Sequence, residues 1–162
     1  MNVNWQIYAY EDALELAVAG WLSKNGINDP RTQRNEQQDG STLPTPRVEV
    51  KALFGDMQSR EHYYIRPDGM RWIDMSDGTL WLKVVTRREP GEIKHSMLRG
   101  QARGLMQFAK NISSLMPLHN IQKIIEQPSA INVDEARKHD ITGLQFAVTL
   151  QINPAAFAQL TS

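Results

Sequence analysis

Glu49 and Lys51 stand two residues apart in the alternating segment Val48-Glu49-Val50-Lys51, with Asp39 ten residues upstream. This is the bare outline of a metal-dependent nuclease core, in which two carboxylates hold Mg²⁺ and a lysine steadies the attacking water. Alternating charge on the exposed face of a strand gives the same pattern by chance, and no strong second acid or basic substrate groove accompanies it. The four histidines, His62, His95, His119 and His139, fall one to an element without i, i+4 ligand spacing. Surface or internally bonded rings are therefore expected rather than a zinc site. Gly100 and Gly104 lie inside a helical pattern and cannot cradle a phosphate. The chain has no cysteine, which removes disulfides, thiolate nucleophiles and thiolate metal sites together. No catalytic residue, metal or cofactor is expected, and the chain reads as a non-enzyme.

Composition bounds the rest. The 162 residues carry 18 basic and 18 acidic side chains, for a formal net charge of zero. One domain over 1–162 is expected, long enough to bury a real core. Zero net charge argues against a dedicated nucleic-acid binder or an electrostatically held membrane protein, and it favours self-association. No window approaches 18 apolar residues, and the start lacks the basic-then-apolar pattern of a signal peptide, so neither membrane nor export is expected.

The elements that must position any site read as follows. Residues 5–24 form an amphipathic helix on Ile7, Tyr10, Leu14, Val18, Trp21 and Leu22, with Asn4 to cap its start and Gly26 its end. Glu11, Asp12 and Glu15 place acid near its N-terminus. Residues 27–46 lose periodicity and read as a long polar loop, ordered by a neighbour or not at all. A strand follows over 48–54. Residues 56–76 form a hairpin extension turning at Arg66-Pro67-Asp68-Gly69, and Asp77-Gly78 signals a second turn. A strand over 79–87 then points Leu80, Leu82 and Val84 one way and Trp81, Lys83 and Val85 the other. After the turn at 88–91 one helix is predicted from about Glu92 to Leu115, in which Gly100 and Gly104 are either tolerated or allow close backbone approach. Strands are expected over 120–126 and 144–152, separated by a polar loop with a helical turn at 133–138. Residues 153–162 read as a tail, either a loose helical turn or an arm for a neighbour.

The predicted fold is α+β: a single mainly antiparallel sheet of about four main strands plus a β-hairpin, with two helices on one face, in the order α-β-ββ-β-α-β-β. The other sheet face, with Trp81 and Val85, is then left to solvent or to another subunit. Two sets of residues stand out as contacts. From Lys83 to Lys110 the charge is mainly basic, and Lys83, Arg87, Arg88, Lys94, Arg99 and Arg103, with Trp81, are candidates for an interface or a DNA-passing lumen. Tyr63, Tyr64, Arg66, Arg71 and Trp72 make the hairpin an aromatic and arginine-rich ribbon suited to a partner.

The entry Leu43-Pro44-Thr45-Pro46-Arg47-Val48-Glu49-Val50, the strand Gly78 to Thr86 feeding the helix His95 to Met106, and the closing strand Leu144 to Ile152 resemble the tail terminator, or tail completion, proteins of long-tailed bacteriophages. The likeness is one of pattern and topology over most of the chain, since that family has no diagnostic motif. The resemblance implies a structural virion protein that forms a ring, usually of six subunits. Such a ring stops tail-tube polymerisation, meets the tube protein on one surface and the head-side connector on the other, and passes DNA through its lumen without sequence specificity. It implies a place in the virion tail or neck, and in the host cytoplasm during assembly. The alternatives are another head-tail neck or connector protein, or a Mg²⁺-dependent nuclease using Glu49 and Lys51.

Overall fold

The computed structural model describes residues 9–32, 44–55, 58–61, 72–128, 131–134 and 138–152. In chain order the elements are α1 (Tyr10–Lys24), β1 (Arg31–Thr32), β2 (Arg47–Phe54), β3 (Gln58–Glu61), β4 (Trp72–Arg87), α2 (His95–Leu105), α3 (Ala109–Ser113), β5 (His119–Gln127), β6 (Ile131–Asp134) and β7 (His139–Ile152). The fold is α+β, as expected, with one sheet and the helices on one face of it. The sheet has seven strands rather than four and a hairpin, and there are three helices rather than two.

Two long strands carry the sheet. β4 has 16 residues and β7 has 14, and they pair antiparallel from Met75 opposite Gln151 to Arg87 opposite His139. Each takes two shorter strands end to end along its other edge: β2 and β3 on β4, and β5 and β6 on β7. β1 adds a short parallel pairing to β2. Alternation then sets the core: Val48, Val50, Ala52 and Phe54, Leu80, Leu82 and Val84, and Leu144, Phe146, Val148 and Leu150 all bury against the helices. The helices answer with Leu14, Val18 and Leu22 from α1, Leu98 and Ala102 from α2, and Ile112 from α3.

Asp77-Gly78 is not a turn, because β4 runs straight through it. Phe54 crosses over Gly78, where an added Cβ would stand 2.4 Å from the ring Cγ and 2.5 Å from the Leu53 carbonyl oxygen. Glycine is there for close approach, and the aromatic ring covers the gap it leaves. Thr149 donates to Asp77 Oδ1 at 2.6 Å across the β4–β7 pair. The β2 end is anchored at the Gly55 carbonyl, which accepts from Tyr10 Oη and Ser76 Oγ, each at 2.8 Å.

The single helix expected over 92–115 is two helices, broken at 106–108. The break lets Met106, Ile112 and Met116 bury together, and it turns Phe108 and Leu115 outward. Trp21 closes the gap: its indole N–H donates to the Leu105 carbonyl at 2.9 Å, and its ring lies 6.0 Å from that of Phe108. Gly100 and Gly104 face open space, with nothing within 4 Å of a Cβ at either, so no described residue makes a close backbone approach there.

Of the loop with a helical turn expected around 133–138, residues 133 and 134 are instead strand, and 135–137 lie outside the described residues. β6 pairs Ile131 with Thr142 and Asp134 with His139, and Lys138, at φ 54, takes the left-handed conformation beside the turn. β7 accordingly begins at His139 rather than 144. In β5 a bulge between Ile121 and Lys123 breaks the simple alternation, so that Ile121 and Ile124 both pack on the core while Ile125 stays 49% exposed. The hairpin over 56–76 is present as β3 against the start of β4, where Trp72 pairs with Glu61. Tyr63, Tyr64, Arg66 and Arg71 lie outside the described residues, as do Asn4, Trp5, Ile7, most of the 27–46 loop and the 153–162 tail.

α1 begins at Tyr10 and ends in a Schellman motif. Gly26 stands at φ 99, its N–H reaches the Ser23 carbonyl at 3.3 Å, and the Ile27 N–H reaches the Leu22 carbonyl at 3.0 Å. Its acidic residues do more than meet the helix dipole. Glu15 is buried and accepts the Ala52 N–H at 2.9 Å, while Glu11 accepts the Phe54 N–H at 2.8 Å. The helix thereby satisfies the backbone of β2 beyond the reach of β1.

Two predictions follow from these contacts, each checked by urea or thermal unfolding. Gly78→Ala drives a Cβ into Phe54 and the Leu53 backbone and should cost about 1–3 kcal/mol, whereas Gly100→Ala meets nothing and should gain about 0.5–1 kcal/mol. Glu15→Ala leaves the Ala52 amide buried without its acceptor and should cost about 1–3 kcal/mol; Glu15→Gln, which keeps an acceptor oxygen, should cost less.

Candidate assembly surfaces

The helices cover one face of the sheet, and no described helix covers the other. On that open face the strands line up side chains in rows. One row runs Lys51, Trp81, Gln145 and Gln127, with Gln145 Nε2 donating to Gln127 Oε1 at 3.0 Å. The next runs Leu53, Thr79, Ala147 and Ile125, and both its ends are exposed apolar residues, Leu53 at 58% and Ile125 at 49%. Trp81 is half-buried rather than projecting, and Val85 is fully buried, so only part of the apolar surface expected on this face is available. Val85 pairs across to Arg47, itself buried, whose Nε donates to Glu49 at 2.9 Å.

Glu49 is also 3.8 Å from Lys83 Nζ on the neighbouring strand. Its carboxylate thus sits between two cations, with Lys51 exposed further along the same face. Asp39 lies outside the described residues, and among the described residues no group of three or more His, Asp or Glu is placed to hold a metal ion.

The basic stretch that is continuous in sequence is divided in space. Lys83 stands on the open face; Lys94, Arg99 and Arg103 are on the helix layer; Arg87 and Arg88 lie at the end of β4. Most of these charges meet acids: Arg87 with Glu89 at 3.2 Å, Arg88 with Asp140 at 2.9 Å and Arg103 with Glu126 at 2.7 Å. Arg99 has a buried Nε without a hydrogen-bond partner, beside Arg103, Glu126, Gln127 and Pro128 around a shallow cavity of about 410 Å³. A second groove, apolar and of about 490 Å³, runs between α1 and Leu115–His119 and is rimmed by the exposed side chains of Leu16 and Leu115.

The polar cluster that sequence reasoning missed is where α2 meets the sheet. His95 stands at the start of α2 between two threonines of the inner sheet face, with Nδ1 2.8 Å from Thr86 Oγ1 and Nε2 2.5 Å from Thr142 Oγ1. A neutral imidazole offers one donor and one acceptor, and a hydroxyl can play either part, so the ring is satisfied in either tautomer. Burial holds its pKa below the ordinary 6.5, opposed by the nearby Asp140 carboxylate and aided by Arg99. The other described histidines are also built in. His119 is buried with its ring edge-on to Tyr10, and His139 is buried and accepts from Arg87 Nε at 3.5 Å. No sequence signal marked His95, since its partners lie nine and 47 residues away. Glu11 and Glu15 did carry one: with Val18 and Leu22 they continue the buried stripe of α1.

These surfaces hold no pocket with converging reactive groups among the described residues; they offer a broad amphipathic sheet face and two shallow grooves. Neither a protein-family model nor a curated protein matches this chain.

The histidine gives a signed pH dependence. A base with a lowered folded pKa takes up protons more readily when unfolded, so stability rises with pH across the interval between the two values. The contribution is present in full above about 6.5 and is lost as pH falls from 6.5 towards the folded pKa. Stability measured by denaturant between pH 5 and 8 should fall on the acid side, and His95→Gln should flatten that part of the profile.

Proposed function

We propose that this chain is a structural, ring-forming component of a phage tail or neck, of the tail-terminator kind. The observation that carries the reading is the open sheet face. It spans strands from β2 to β5, mixes exposed Leu53 and Ile125 with Trp81 and Lys51, and is covered by no described helix. Such a face suits a broad protein contact rather than a small molecule, because its exposed apolar residues are spread across the width of the sheet. Terminating a tube asks for the same thing: one ring surface that matches the tube, and another that no further tube subunit fits. No titrating group is needed for it.

The basic residues serve this reading in two groups. Trp81 and Lys83 belong to the open face, and Lys94, Arg99 and Arg103 to the helix layer, so one of the two groups faces the lumen and passing DNA while the other meets neighbours. Contacts to a DNA backbone in such a channel would be non-specific and salt-sensitive.

Light scattering on the purified chain, alone and with the tail-tube protein of the same genome, followed by negative-stain imaging, tests the reading. Rings of uniform size are expected, and Trp81→Ala should reduce them at least tenfold with an unchanged circular dichroism spectrum. A strict monomer that forms no ring in either setting sinks the proposal.

A further inference from the structure

The two edges of the sheet are finished differently. On the β2 side, β1 pairs with Glu49 and Val50, and Glu15 and Glu11 accept the amides beyond it. On the β5 side one cap is present among the described residues: the Ile121 N–H donates to Ser113 Oγ of α3 at 2.9 Å. From Lys123 to Gln127, past the bulge, no strand or side chain among the described residues takes the backbone groups that point away from β7. The chemistry that satisfies a row of alternating N–H and C=O groups is another extended backbone. Of the segment's charges, Lys123 is exposed at one end. Glu126 is held by Arg103, and Ile125, in the middle of the segment, is 49% exposed.

We propose that unassembled copies of this chain pair through β5, antiparallel about a two-fold axis at Ile125, joining two sheets into one. The register follows from side-chain chemistry. Opposed residues in such a pair must lie on the same face, and the axis at Ile125 sets that residue against its mate, Lys123 against Gln127 and Ile124 against Glu126. An axis at Lys123 opposes two lysines, and one at Glu126 opposes two carboxylates, both unfavourable. An axis at Ile124 leaves the exposed Ile125 facing Lys123, whereas the axis at Ile125 sets Glu126, already held by Arg103, against Ile124, which already packs on its own core. The occupant is a second copy because the segment complements itself in this register and the chain has zero net charge, so copies do not repel. A two-fold contact does not repeat around a cyclic ring, so this pairing is separate from any ring interface and does not depend on the ring reading.

The cysteine-free sequence gives a direct test. Opposed residues in a strand pair place their Cβ atoms about 4.5–5.5 Å apart, close enough for a disulfide with slight adjustment. Ile125→Cys should cross-link to a dimer under mild oxidation and revert with reductant. Lys123→Cys alone should not cross-link, whereas a mixture of Lys123→Cys and Gln127→Cys should. Where no rings have formed, the parent should show dimer mass by light scattering, and Ile125→Lys should weaken the dimer at least tenfold with an unchanged circular dichroism spectrum. A parent that stays monomeric at 100 µM or so, an Ile125→Lys variant that still pairs, or an Ile125→Cys variant that does not cross-link overturns the proposal. Cross-linked dimers without rings in the imaging experiment would leave this pairing standing and remove the ring.

Discussion

The antiparallel ladder between β4 and β7 is the constraint on which the rest of the structure depends. It runs unbroken from Met75–Gln151 to Arg87–His139, longer than any other pairing in the chain. Because each strand uses one full edge in this ladder, each has one full edge left, and each fills it with two short strands in series. The same ladder sets the faces. Leu80, Leu82 and Val84 stand beside Phe146, Leu144 and Thr142, so a one-residue slip would send the core residues of the shifted strand to the open side at once. Gly78 is part of this constraint, since the ladder stays straight there only if Phe54 is allowed to cross the backbone.

The helices are fastened to that sheet by polar reach as well as by apolar burial. Glu15, Glu11, Tyr10 and Trp21 of α1 each bond to backbone outside their own helix, and His95 of α2 bonds to two threonines on the central strands. Each such bond adds about 1 kcal/mol, but its larger effect is on alternatives. A displaced helix would leave a buried amide, carbonyl or imidazole unpaired, at a cost greater than the bond itself contributes. The break between α2 and α3 illustrates the balance: Leu105 loses helical continuity, and Trp21 takes up its carbonyl.

The main strands were legible because alternation is a local property. Val48 to Phe54, Leu80 to Val84 and Leu144 to Leu150 announce their faces without help from elsewhere. Boundaries and breaks were not, because non-local partners decide them. Asp77-Gly78 has the composition of a turn, and only Phe54, more than twenty residues earlier, makes it a strand. Residues 131–134 are too short an alternating run to announce a strand in a polar surrounding, and they are strand because β7 extends back to His139 and pairs with them. The continuous apolar spacing over 92–115 is compatible with one helix until Trp21 offers a better arrangement. Among the candidate contacts, the face on which Trp81 and Lys83 lie was readable from period two, but the burial of Val85 was not, and the contiguous basic run concealed that its members part company at the turn after Arg88.

That separation bears on how the surface can work. A groove lined with uncompensated cations would attract a polyanion over many Å, yet here Arg87, Arg88 and Arg103 each already hold an acid, and Lys83 lies near Glu49. Exposed pairs of this kind are worth about 0–1 kcal/mol each, so they exchange partners readily and contribute little field beyond a Debye length. Long-range attraction is therefore weak, and affinity has to come from matched area and from backbone pairing at an edge. Both are short-range, both depend on shape, and both reward a partner that presents an extended or flat surface over one that is merely charged. Zero net charge, a sheet face without a described helix and a β5 edge without a described partner favour contacts of that type.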